Sequence, residues 1–190
     1  MPEHRLQPLL PLAGKSSRAD TFDGLAITES ANLAMASLTC RLGRSEDFAR
    51  TALAVFGMAM PRPGLVKAQP PFAAIWIGPD QWLIEAPFDT HEDIARIVKD
   101  KMGGTASVTE QTDGWARFEV EGPRAADVFE RLCALDIRSM QTGAASRTLV
   151  EHLGCLVVCR EAGQRFSVLG PRSAAGSLHH ALVTAAQSAI

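Results

Sequence analysis

Residues 72–87, Phe-Ala-Ala-Ile-Trp-Ile-Gly-Pro-Asp-Gln-Trp-Leu-Ile-Glu-Ala-Pro, decide the fold class. Residues 72–77 and 82–86 are apolar runs rich in the aromatic and branched side chains that strands favour. Gly78-Pro79-Asp80-Gln81 between them is turn chemistry, so the stretch predicts an antiparallel hairpin. Downstream, Thr90 is placed to cap a helix through about Met102, with Ile94, Ile97 and Val98 as its buried stripe. Gly103-Gly104 stops that helix, and residues 105–112 alternate as a further strand. Upstream, residues 36–42 read as a strand. Ser45 then opens a helix to about Phe56, with Phe48, Leu53 and Phe56 on one side. Pro61, Pro63 and Gly64 mark a loop.

The same order then recurs. Residues 115–120 alternate, Gly122-Pro123 begins a helix through about Cys133, and residues 146–152, 154–160 and 164–169 read as three strands. A last helix covers residues 172–187. WARFEVEGPRAADVFERL (115–132) echoes SLTCRLGRSEDFARTALAVF (37–56), and FSVLGPRSAAGSLHHALV (166–183) echoes WLIEAPFDTHEDIARIV (82–98). The offset of about 80 residues is too long for a solenoid and points to duplicated lobes. The expectation is an α+β protein of two duplicated split-βαβ-like lobes, residues 33–112 and 113–190, each an antiparallel sheet covered by helices. Residues 1–32 differ. Pro2, Pro8 and Pro11 among Leu6, Leu9, Leu10 and Leu12 bar a regular helix, and no strand alternation is clear. Such a segment is either disordered or laid over another surface. Its leucines favour an extended arm that contacts a partner subunit, since disorder favours low hydrophobicity.

A net charge of −2 provides no field for nucleic acid or anionic membrane, and no run of apolar residues is long enough to span a bilayer. Pro8 and Pro11 interrupt the N-terminal apolar stretch, which is unlike a signal peptide, and a cytoplasmic location follows. Cys40, Cys133, Cys155 and Cys159 sit in apolar surroundings and read as reduced, buried thiols. Cys155 and Cys159 share a strand face but stand about 13 Å apart, too far for one metal ion.

Few residues in the sequence point to chemistry. His179 and His180 diverge around their helix and read as partly exposed, while His91 and His152 read as surface or edge residues. Glu119 and Glu121 alternate with Phe118 and Val120, which is the polar face of a strand. Trp76, Trp82 and Trp115 could stack on a flat ligand such as a pterin, but core or interface packing explains them better. Arg117, Arg124, Arg131 and Arg138 could clamp an anion. Arg124 and Arg131 instead share a helix face with Asp127 and Glu130 as solvated ion pairs. No nucleophile elbow, phosphate loop, dinucleotide fingerprint or zinc spacing occurs. No residue is assigned as catalytic, cofactor-binding or metal-ligating.

The strings FAAIWIGPDQWLIEAP and, from Val108, VTEQTDGWARFEVEGPRAADVFERLCALDI resemble the gamma-subunit family of heterotetrameric sarcosine oxidases. That family is similar to the aminomethyltransferases of the glycine cleavage system. Matching segments are Gly78 to Glu85, Asp113 to Asp136 and Gly170 to Ala174, within a likeness over residues 35–187. The resemblance implies the lobes that bind folate in aminomethyltransferases. It also implies an assembly that converts sarcosine, tetrahydrofolate and O2 to glycine, 5,10-methylenetetrahydrofolate and H2O2. It implies alpha, beta and delta partner subunits, chiefly alpha, which this chain would stabilise without catalysing. FAD, FMN, NAD, zinc and tetrahydrofolate would belong to those subunits, and no cofactor to this chain. The alternative is a free-standing folate-binding aminomethyltransferase-like protein or regulator. A full aminomethyltransferase is roughly twice this length, and this chain stops where a C-terminal barrel would begin. The K-G-C-[YF]-x-G-Q-E signature of the cluster-repair relatives is absent; Cys155 lies in His-Leu-Gly-Cys-Leu-Val-Val.

Overall fold

In a computed structural model, residues 9–189 are described. They comprise strands β1 (Ala19–Phe22), β2 (Leu25–Glu29), β3 (Ala34–Cys40), β4 (Val66–Gln69), β5 (Phe72–Gly78), β6 (Gln81–Ala86), β7 (Ala106–Glu110), β8 (Trp115–Glu121), β9 (Ala145–Val150), β10 (Leu153–Glu161) and β11 (Arg165–Pro171). The α-helices are α1 (Ser45–Phe56), α2 (Phe88–His91), α3 (Ile94–Met102), α4 (Ala125–Leu132) and α5 (Ala175–Ala189).

Two sheets result, ordered β4-β5-β6-β3-β7 and β1-β2-β8-β11-β10-β9, with every neighbouring pair antiparallel. The duplication is explicit in the topology. β3-α1-β4-β5-β6-α3 and β8-α4-β9-β10-β11-α5 are the same β-α-β-β-β-α unit, and each unit places its first strand beside its last. The mixed α+β architecture with antiparallel sheets and covering helices is the one that the sequence predicts.

The layers follow from strand alternation. On β8, Ala116, Phe118 and Val120 are fully buried against α4 and α5, with Phe129, Leu178 and Leu182. On β3, Ala34, Ala36 and Leu38 pack towards α1 and α3, against Phe48, Phe56, Ile94 and Val98. The opposite faces meet each other: Met35, Ile75 and Leu83 of the first sheet contact Ala145, Leu156, Val158 and Leu169 of the second. The order is therefore helices, sheet, sheet, helices. Each strand of the central layers needs one face for its helices and the other for the opposite sheet.

The extended arm expected over residues 1–32 does not hold for its later part. Ala19–Phe22 and Leu25–Glu29 form a hairpin whose second strand pairs with β8, from Ala26 opposite Glu121 to Glu29 opposite Phe118. It occupies the place beside β8 that β7 takes beside β3. Leu25 and Ile27 alternate with Ala26 and Thr28, a pattern too short to register as a strand until an edge is available to pair it. The stretch before the hairpin is tied down by buried Glu29. Its carboxylate accepts the backbone N–H groups of Leu12 at 2.8 Å and Arg18 at 3.3 Å. Leu6 and the first prolines of the expected arm lie outside the described residues.

Two smaller differences concern helix and strand limits. Thr90 does not cap a helix to Met102. The helix breaks at Glu92-Asp93, and the Thr90 hydroxyl donates to the Pro87 carbonyl at 3.3 Å. The loop expected after Pro61 gives way at Val66–Gln69 to an edge strand, which gains its hydrogen bonds from β5.

Candidate functional site

The second face of β8 contributes to a charged cluster in this protein's interior. Since Ala116, Phe118 and Val120 point at helices, Arg117 and Glu119 face the other sheet. Arg160 at the end of β10 and Ser167 on β11 stand beside them, and Glu85 reaches across from β6. Glu85 is 4% exposed and Ser167 fully buried. Glu85 Oε2 receives Arg160 Nη2 at 3.0 Å and Arg117 Nη1 at 3.3 Å. Arg117 Nε donates to Glu119 Oε1 at 2.5 Å, and Arg160 Nε donates to Ser167 Oγ at 2.7 Å. The Ser167 hydroxyl donates in turn to the Glu119 carboxylate, with oxygens at 2.8 and 2.9 Å.

Two carboxylates and two guanidinium groups thus balance, and both signs of charge are taken from water together. Burial alone would lower the Arg117 pKa, but the charges of Glu85 and Glu119, with their hydrogen bonds, outweigh it and raise that pKa above the usual arginine value. One atom is left out. Glu85 Oε1 is buried and has no hydrogen-bond partner among the described residues. An unmet buried acceptor costs about 1–3 kcal/mol, so the defect is a large one.

The arrangement is poorly suited to nucleophilic catalysis. Ser167 is the one hydroxyl beside a carboxylate here, but it is fully buried and its oxygen already accepts from Arg160. Among the described residues no three His, Cys, Asp or Glu side chains converge to hold a metal ion. Burial pushes the Cys155 thiol up to about 11, only partly opposed by a backbone hydrogen bond from Val150; burial also raises Cys133 and Cys159. Such thiols stay protonated and unreactive.

Two openings flank the charged cluster, and Leu33 and Arg117 line both. One, of ≈ 490 Å³, lies between the N-terminal segment and the sheets, with Met35, Phe88 and Trp115 as apolar walls and Lys15, Arg117 and Arg172 as cations. Arg172 pairs with Asp113 at 3.3 Å and donates to the Leu9 carbonyl, which closes the segment over this cavity. The other, of ≈ 510 Å³, is walled by Pro70, Pro71 and Phe72 on one side and by Glu85, Arg117 and Arg160 on the other.

The residues weighed from sequence fall mostly elsewhere. Trp82 stacks on Phe48 with centroids 5.2 Å apart and donates from its indole N–H to the Pro61 carbonyl at 3.0 Å, which is core packing. Trp76 is its cross-strand partner, while Trp115 sits on the other sheet, so the three do not converge. Arg138 binds Asp127 at 2.7 Å and Glu130 at 2.5 Å on the surface, and Arg124 binds Asp127 at 2.5 Å. Arg131 turns instead to Ser188 near the C-terminus. His180 is exposed, but His179 is buried, against the expectation of a partly exposed residue. Its Nε2 lies 2.8 Å from Asp20 Oδ2, because the N-terminal hairpin covers that side of α5. Glu119, expected on a solvated face, is turned inward by the second sheet; Glu121, at the strand end, is exposed. The cluster left two traces in the sequence. Glu85 stands between buried Ile84 and Ala86, and Arg160 directly follows the apolar run of β10.

No protein-family model matches the chain, and no curated protein matches it. Solved structures do. The chain is similar to a chain of the heterotetrameric sarcosine oxidase from Corynebacterium sp. U-96, solved in complex with pyrrole 2-carboxylate. The TM-score is 0.76 with 21% identity, over 86% of this chain and 84% of that one. It is similar also to the glycine cleavage system aminomethyltransferase T from Bartonella henselae. There the TM-score is 0.59 with 11% identity, over 82% of this chain and 44% of that one. At these identities the shared property is the fold.

Proposed function

We propose that the chain is the non-catalytic gamma-type subunit of a heterotetrameric sarcosine oxidase, in which it stabilises the alpha subunit. The observation that carries this proposal is the near-complete mutual overlap with a chain of such an oxidase. Coverage of 86% and 84% means that the two chains have nearly equal length, so the match is to a small subunit and not to one part of a large one. The aminomethyltransferase, of which only 44% is covered, is the contrasting case. The interior agrees with a structural role, since its charges are spent on each other and its buried serine is occupied. In this proposal the chain has no cofactor of its own; the flavins, NAD, zinc and folate sites belong to its partners. The N-terminal segment, with Leu9 half exposed, continues into the proposed subunit contact.

The test is to assay the purified chain for sarcosine-dependent H2O2 production, alone and after co-expression with the large chains of a heterotetrameric sarcosine oxidase. Activity in the co-expressed complex and none in the isolated chain supports the proposal. Turnover by the isolated chain overturns it. The ≈ 490 Å³ cavity, with aromatic walls and cationic edges, favours a second function, that of a folate-binding regulator. Calorimetric binding of tetrahydrofolate by the isolated chain, lost on Trp115→Ala, would favour that function instead.

A further inference from the structure

We propose that the open edge of β7 takes up an extended acidic strand from a partner subunit, completing the first sheet as β1 completes the second. The partner's identity rests on the assembly proposed above. The two sheets come from one repeated unit but differ by a strand. The six-stranded order β1-β2-β8-β11-β10-β9 has β1 beyond β2. The five-stranded order β4-β5-β6-β3-β7 ends at β7, the counterpart of β2. The opposite ends, β4 and β9, are joined to each other. Val66 N–H donates to the Gly143 carbonyl and Ala145 N–H to the Gly64 carbonyl, both at 2.8 Å.

Backbone groups on β7 alternate in direction. At one end Arg41 N–H donates to the Thr105 carbonyl at 3.1 Å, and at the other Gln111 N–H donates to the Met35 carbonyl at 2.9 Å. Ser107 and Thr109, in step with Thr105 and Gln111, therefore turn their backbone groups to β3. The N–H and C=O groups of Val108 and Glu110 face away from β3, and nothing pairs with them among the described residues. A row of unpaired strand groups is a template for one more strand.

Helix α3, packed against Val108, supplies the charge preference. Its buried Ile94, Val98 and Met102 match buried Leu178, Leu182 and Ala186 of α5 in spacing. In that register Ala95 stands where α5 has His179, which holds Asp20 of β1 at 2.8 Å. Lys99 follows one turn later. It is exposed, as is Lys101, and neither pairs with a carboxylate among the described residues. A strand beside β7 with Asp or Glu on its helix side meets an ammonium there, as Asp20 meets His179.

The test is hydrogen exchange on the isolated chain and on its complex with the co-expressed large chains of a heterotetrameric sarcosine oxidase. The amides of residues 106–110 are expected to exchange about tenfold or more slowly in the complex. Val108→Pro deletes an N–H that β3 does not use, so the chain keeps its fold while the complex weakens by about tenfold. Val108→Ala keeps that N–H and leaves the complex within about twofold. Lys99→Glu also weakens the complex, by a factor that shrinks as salt is raised. The proposal is overturned, with the assembly left standing, by a complex that forms without slowing exchange in residues 106–110. A complex that responds equally to Val108→Pro and Val108→Ala, or is indifferent to Lys99→Glu, overturns it too. Absence of any complex overturns both. Should Val108→Pro fail to fold, exchange on the wild-type complex decides alone.

Discussion

Ser167 shows how the central polar cluster contributes to stability. Its hydroxyl both accepts from Arg160 and donates to Glu119 inside a region that excludes water. Ser167→Ala removes one acceptor and one donor at once and leaves two charged groups short of a partner. A loss of about 1–3 kcal/mol is expected, read as a lower urea midpoint with unchanged slope. Glu85→Ala goes further, since it strands two guanidinium groups, and about 3–5 kcal/mol is expected. Asp20 offers a pH-dependent counterpart. Its burial alone would raise its pKa, but hydrogen bonds from Arg18 and His179 outweigh that and hold it below the usual aspartate range. A depressed carboxylate stabilises the fold fully above its unfolded pKa, and the contribution is lost as pH falls through the lower folded value. Asp20→Asn is therefore expected to destabilise the protein at neutral pH, and its difference from wild type should vanish in strong acid. Denaturation curves across that range check the sign. None of these roles was legible residue by residue. Ser167 and Asp20 are ordinary polar residues in the sequence, and their partners Glu119 and His179 lie 48 and 159 positions away.

At the scale of elements, local chemistry was legible where it was self-contained. The hairpin of β5 and β6 closes through Pro79 and Asp80, with Asp80 at a φ of 55° that its short polar side chain tolerates. Helix α1 spans the residues expected and buries Phe48 and Phe56, but Ala52 takes the core position expected of Leu53, which is exposed, and Ser45 makes no side-chain cap. The N-terminal hairpin was not legible, because β1 and β2 are four and five residues long and acquire their register from β8. The junction where that hairpin meets the second unit is tight. Gly122 has a φ of 129°, and a Cβ there would stand 2.3 Å from the Gly24 carbonyl oxygen. Gly122→Ala forces backbone from backbone at a conformation that alanine disfavours, and a cost of about 2 kcal/mol or more is expected. Thermal unfolding measures it. Hydrogen exchange should also rise first in β1 and β2, since the hairpin turn at Gly24 is what the new methyl group displaces.

For the whole molecule, repetition in the sequence was the most informative signal. Two copies of one strand-and-helix order imply two sheets, each with helices on one face, and two such sheets have their remaining faces to bury. The sequence pattern alone assigned the polar face of β8 to solvent, because alternation states which residues share a face and not what lies opposite. The second sheet lies opposite, and the charged cluster exists for that reason. The same arrangement pairs the interior charges of β6, β8 and β10 with one another. The most direct measurement is to tag this chain in its native host and identify its stoichiometric partners. The account predicts recovery in a complex with large oxidase chains, active in sarcosine-dependent H2O2 production and reduced in yield when this chain is deleted. Recovery as a free monomer, with sarcosine oxidation unaltered by the deletion, would contradict it.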